Sequence, residues 1–60
     1  GVGGLILDFL EEEARAQGLR RSVLHAQEYV KSFYAAHGYL EHGESFSEVN
    51  IPHIEMRKEL

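Results

Sequence analysis

The stretch from Val23 to Tyr39, VLHAQEYVKSFYAAHGY, most constrains how this chain can fold. Val23, Leu24 and Ala26 make a short apolar run, and beyond Gln27 the spacing changes. Tyr29, Val30, Phe33, Tyr34 and His37 recur at helical intervals and the pattern closes at Gly38. These residues predict a buried strand, Val23 to Ala26, running through a very short loop into a helix from Glu28 to His37. In open α/β sheets, the crevice beyond the carboxyl end of such a strand is where ligands sit.

A chain of 60 residues holds one small domain at most. Such a chain buries only about 60% of the surface it exposes when unfolded, so an independent fold would be marginal. Cysteine is absent, which removes disulfides, thiolate zinc sites and a thiol nucleophile, and fits a reducing, cytoplasmic setting. The formal charge is −4 and the basic residues are scattered, with Arg20-Arg21 the one basic pair before the C-terminal end. A phosphate backbone needs a concentrated basic face, so nucleic acid is not expected as a partner. The apolar run Leu5 to Leu7 is far shorter than the roughly 20 residues of a membrane span, and no targeting segment is visible.

Ahead of the central stretch, LILDFLEEEARAQG reads as an amphipathic helix. Ile6, Phe9, Leu10 and Ala14 share its apolar face, Glu11, Glu12 and Arg15 point away, and Gly18 ends it. The acidic run Glu11 to Glu13 is then a solvated face. Gly1-Val2-Gly3-Gly4 precedes this helix; glycines there suit either a frayed end or the close approach of a phosphate to free helix N–H groups.

Near-continuous apolar character marks Val23 to Ala26 as a central strand covered on both faces. Beyond Tyr39 helical periodicity disappears. Tyr39 to Glu44 and Phe46 to Val49 look extended with an interruption at Gly43, Asn50-Ile51-Pro52 looks like a turn or strand entry, and Ile54 and Met56 alternate with polar residues so that Met56 packs inward. The fold class expected is α/β: helix, strand, helix, then two antiparallel strands.

Four histidines, His25, His37, His42 and His53, show no metal-ligand spacing. His25 at the strand end and His53 at the entry to the last strand could relay a proton, since imidazole titrates near neutral pH. His37 suits a helix C-terminus and His42 suits solvent. Tyr34 on an apolar helix face is a core anchor or a proton donor, because a phenol is protonated at neutral pH. Gln27 is a turn or capping residue, or a two-way amide partner for a ligand.

The same stretch resembles the GNAT superfamily of acetyl-CoA-dependent N-acetyltransferases. That family's pattern is a strand-ending Asn, then x-x-Ala-x-x, a hydrophobic-Tyr pair, and a closing Gly-Phe or Gly-Tyr. Here Gln27 stands for the Asn, Val30 for the Ala, Phe33-Tyr34 for the pair and Gly38-Tyr39 for the close. Gly1-Val2-Gly3 fits the Gly-x-Gly part of the family's pyrophosphate loop. Leu24-His25-Ala26-Gln27, and Phe46-Ser47-Glu48 followed by Ile51-Pro52-His53-Ile54-Glu55-Met56, resemble the ElaA-like branch.

The resemblance covers nearly all of the chain and corresponds to the C-terminal half of the family's fold, with the N-terminal strands and the strand before the glycines outside it. It implies acetyl-CoA as cosubstrate, bound by Gly1, Val2, Gly3, Gly4, Gln27, Phe33 and Tyr34. It also implies a small-molecule or peptide amine as acceptor, direct transfer without an acyl-enzyme, and Tyr34 as general acid; no metal enters. The complete parent would be the enzyme and these residues alone inactive, completed by the missing half or by self-association. The alternative is a non-catalytic α/β interaction module that self-associates through an exposed strand edge.

Overall fold

A computed structural model describes residues 2–60. Helix α1 spans Val2–Ala16 and strand β1 spans Arg21–Gln27. A 3-10 turn at Glu28–Val30 leads into helix α2, Lys31–Ala36, and strands β2, Leu40–Glu48, and β3, Ile51–Glu59, form a hairpin. Gly18 and Gly38 end the two helices with φ of 82° and 92°, a left-handed backbone that glycine adopts without steric cost. No helix among the described residues is long and apolar enough to cross a membrane.

The three strands form one antiparallel sheet in the order β1-β3-β2. Val23 to Ala26 is covered on one face only among these residues, and its unpaired edge is the one expected when the strand before the glycines is absent. The strand is longer, β3 holds the middle, and among the described residues β1 lies at an edge with Val23 52% exposed. A strand is central when it has a ladder partner on each side, which its own apolar content does not decide.

The helices lie over one face. There Ala26, Ile54, Met56 and Tyr39 form the buried core, with Leu7, Leu24 and Tyr34 packed against it. The inward packing of Met56 is as the alternation predicted, at 1% exposure.

Helix α1 corrects one expectation. Its packed stripe is Gly4, Leu7 and Glu11, one residue per turn, whereas Ile6, Phe9 and Leu10 are all more than half exposed. Glu11, expected in solvent, is 4% exposed. Its Oε1 accepts a 2.8 Å hydrogen bond from Lys58 Nζ on β3, while its Oε2 has no hydrogen-bond partner. The same ammonium stands over the Tyr39 ring, and the Tyr39 hydroxyl is 2.7 Å from Ser22 Oγ on β1. Burial alone would raise the Glu11 carboxyl, but the Lys58 ammonium and the Tyr39 hydroxyl together hold it below its ordinary range. Burial in turn raises the Tyr39 phenol.

In the hairpin, Glu48 pairs with Ile51 and leaves a two-residue turn of Val49 and Asn50 at φ of 49° and 60°. Positive φ at both central positions matches the twist of the flanking strands, but a β-branched Val is a costly occupant. Asn50 lies in the turn and Ile51-Pro52 enters β3, as a turn or strand entry at Asn50-Ile51-Pro52 predicts. The interruption at Gly43 is a bulge: His42 pairs with Glu55 and Phe46 with His53, so three residues of β2 oppose Ile54 alone. Gly43, with φ of 78°, permits the bend.

Candidate active site

Helix α1 begins at Val2, so Val2, Gly3 and Gly4 form its first turn rather than a loop ahead of it; Gly1 lies outside the described residues. Glycine is a poor helix former, but both glycines here face α2 and its end, and Gly4 is the tight one. A Cβ on Gly3 would lie 3.5 Å from the Phe33 ring, and one on Gly4 would lie 2.9 Å from the His37 imidazole. Gly4 therefore lets the start of α1 approach the end of α2. First-turn N–H groups of a helix have no partner within the helix and carry its partial positive charge.

Between the helices runs a groove of about 240 Å³ lined by Gly3, Ile6, Leu7, Leu10, Phe33 and Tyr34. The structure thus brings together Gly3, Phe33 and Tyr34. The Tyr34 ring stands edge-on to Phe33 at 5.2 Å and to the buried Tyr39 at 5.8 Å, anchored on one side and facing the groove on the other. Val2 and Gly4 line a neighbouring hollow with Leu5, Asp8 and His37. Gln27 ends β1 opposite His53 and lies outside the groove lining.

His25 and His53 lie on or beside the opposite face of the sheet, where residue types alone do not assemble them. Glu48 stands between them, 3.7 Å from His25 Nδ1 and 3.4 Å from His53 Nε2. Phe46 packs edge-on to the His25 ring and stacks on that of His53. Sequence reasoning missed Phe46 and Glu48. The signal was present in their alternation on β2, but the bulge at Gly43 hides which β3 residues they meet. Among the described residues no three His, Asp or Glu side chains are grouped to hold a metal ion.

The sequence profile of the acetyltransferase (GNAT) domain matches residues 1–60. The chain belongs to the GNAT acetyltransferase family. It is 40% identical over 60 residues to the uncharacterized N-acetyltransferase YjcF of Bacillus subtilis, covering 98% of this chain and 43% of that protein. To the uncharacterized YyaT of the same organism it is 38% identical over 60 residues, covering all of this chain and 40% of that protein.

Among crystal structures, an acyl-CoA N-acyltransferase from Pseudomonas aeruginosa superposes with a TM-score of 0.88 at 29% identity, over 97% of this chain and 40% of its own. Escherichia coli ElaA superposes at 0.71 and 30% identity, over 90% of this chain and 37% of its own. The GNAT chain described here therefore spans less than half the length of these relatives. The α/β fold with two helices and an antiparallel sheet, and the likeness to ElaA, agree with the sequence expectation.

Proposed function

We propose that the protein to which these residues belong transfers an acetyl group from acetyl-CoA directly to an amine. The observation that carries this reading is the groove in which the first turn of α1, through Gly3, meets Phe33 and Tyr34 of α2. The groove fits a thioester cosubstrate on its own terms. Gly3 leaves open the space a side chain would fill, the walls are mainly apolar to suit a flexible pantetheine arm, and one phenol stands among them. The free N–H groups of Val2, Gly3 and Gly4 suit a pyrophosphate at the groove's end, and Gln27 suits an amide further along the arm.

In this reading acetyl-CoA supplies the activated acyl carbon. The amine nitrogen bonds to that carbon, the carbon–sulfur bond breaks, and the sulfur leaves with the electron pair. Tyr34 holds a proton at its hydroxyl and gives it to the departing sulfur, and the proton that the nitrogen sheds as its bond to carbon forms restores the hydroxyl; Tyr39 behind it and Phe33 beside it fix the ring so that the proton is in place before reaction. Ile6, Leu7, Leu10 and Phe33 keep water from the same space.

Two measurements on the complete protein test this. Acetyl-CoA raises its melting temperature, and Gly3→Phe, which fills the groove, removes that shift; no shift in the parent protein would defeat the reading. Tyr34→Phe lowers kcat by about 10²-fold or more while the KM for acetyl-CoA stays within about twofold, as expected when a transition-state donor alone is lost. Equal turnover in the two would dismiss Tyr34 as the acid and leave it a core anchor.

A further inference from the structure

Each of the two aromatic rings on the α2 wall of the groove is backed by a further ring. Tyr39 stands behind Tyr34, and His37 stands against Phe33 with ring centroids 4.7 Å apart and planes tilted by 51°. His37 is half-buried at the C-terminal cap of α2. Its imidazole is not part of the groove lining, and the transfer chemistry makes no use of it.

The ring is held from three elements. Within α2, the His37 N–H donates to the Tyr34 carbonyl oxygen at 3.0 Å, and the Gly38 N–H donates to that of Ala35 at 3.1 Å, so the backbone carrying the ring is tied to the last turn. From β3, the Lys58 stem closes on Gly38, where a Cβ would lie 3.3 Å from Lys58 Cε. From α1, Gly4 closes on the imidazole itself. A Cβ at Gly4 would lie 2.9 Å from His37 Cε1 and 3.2 Å from Nε2, so any side chain there must displace either the ring or the helix.

Both displacements reach the groove. Moving α1 outward carries Gly3 and the free N–H groups of the first turn away from Phe33 and Tyr34. Turning the ring into the adjoining hollow of about 460 Å³, between Gly4, Leu5 and Asp8, removes the support behind Phe33. We propose that His37 is a positioning residue for acetyl-CoA: wedged between Gly4 and Phe33, it sets the width of the groove and so the distance the cosubstrate spans between the first turn of α1 and the rings of α2. The inference rests on the acetyl-transfer reading above. The role is steric, with the imidazole as a spacer, so the sizes of the residues at positions 4 and 37 act as one variable.

The test is calorimetric titration of the complete protein with acetyl-CoA, comparing the parent with Gly4→Ala, His37→Ala and the double variant. Each single substitution is expected to weaken binding by about fivefold or more. In the double variant the new methyl at position 4 takes part of the space the ring leaves, so the loss is expected to be smaller than the product of the two single losses. Thermal unfolding without ligand separates a spacer from a general support of the fold. Alanine is the better helix former, so Gly4→Ala is expected to lose affinity while its Tm stays at or above that of the parent. Parental affinity in either single variant, single losses that simply multiply, or a loss in Gly4→Ala that accompanies a lower Tm would each overturn the spacer while acetyl-CoA binding by the parent leaves the transfer reading standing. A parent protein that does not bind acetyl-CoA sinks both.

Discussion

On the helix-covered face of the sheet, Ala26, Tyr39, Ile54 and Met56 keep at most 3% of their surface in solvent, whereas on the other face Val23 keeps 52% and Phe46 36%. The covered face still admits one charged pair, Glu11 with Lys58, and closes it with an ammonium, a phenol and an aromatic ring. The open face distributes its charges among half-exposed side chains: Arg21 to Glu59 at 2.7 Å, Arg57 to Glu55, and Glu48 between two imidazoles. The covered face thus encloses its charge, whereas the open face pairs its charges at the edge of solvent. Surface pairs such as Arg21 with Glu59 contribute little to stability, so the difference between the faces is one of energy as well as composition.

The largest expected effect breaks the comparison on its covered side. Met56→Ala removes a fully buried side chain and should cost about 3 kcal/mol of unfolding free energy in the complete protein, whereas Val23→Ala on the open face should change it by less than about 0.5 kcal/mol. Urea denaturation of both variants checks this, and equal losses would mean that the open face is covered as tightly as the other.

Next in size is the buried pair. Lys58→Met leaves the Glu11 carboxylate without its cation and should cost about 2 kcal/mol at neutral pH, less than a fully buried pair because Lys58 keeps 22% of its side chain in solvent. The pH dependence should change sign as well. In the parent protein the folded Glu11 binds its proton less readily than the unfolded one, so its contribution is present above pH 4.5 and is lost as pH falls through its lowered pKa. Without Lys58, burial is opposed only by the Tyr39 hydroxyl and the charge of Arg15, and the carboxyl should rise. The folded state then binds the proton more readily, so this site's contribution improves as pH falls from neutral. Glu28 and Glu55, also lowered by hydrogen bonds from Lys31 and Arg57, contribute equally to both proteins and cancel in the difference between the two stability curves. A difference curve without that inversion would remove Lys58 as the cause of the lowering.

How far each feature could be read from the chain depends on how far apart its parts lie in sequence. Helix ends at Gly18 and Gly38, the strand preceding α2 and the inward face of Met56 follow from local spacing, and all are present in the fold. Strand order does not, because alternation in β3 identifies its buried face but not its neighbours, and among the described residues β3 takes the centre. Glu11 was misplaced for a related reason. Its partner Lys58 is 47 residues away, and a carboxylate in a helix reads as solvated unless that cation is known to reach it.

The groove's members Gly3, Phe33 and Tyr34 became a set through the family resemblance, since each on its own is an ordinary helix-packing residue. The cluster around Glu48 needed the register across the Gly43 bulge. Two extra residues there preserve which face each side chain takes while changing whom it meets.

The smallest predicted effect lies at the tip joining the two outer features of the open face. Val49 holds a left-handed backbone at φ of 49° and is 84% exposed, so it suffers the steric cost of that conformation and gains almost nothing from burial. Asn tolerates the same backbone through short-range hydrogen bonding, and is favoured in two-residue hairpin turns. Val49→Asn should therefore stabilise the complete protein by about 1 kcal/mol, read as a shift of the urea midpoint at unchanged slope. The substitution also sharpens the contrast between the faces. Glu48 precedes the turn and His53 is the third residue after it, so a stiffer tip should tighten the spacing of their side chains without touching Met56 or Lys58. A midpoint that does not rise would dismiss strain at Val49 as a cost to the fold.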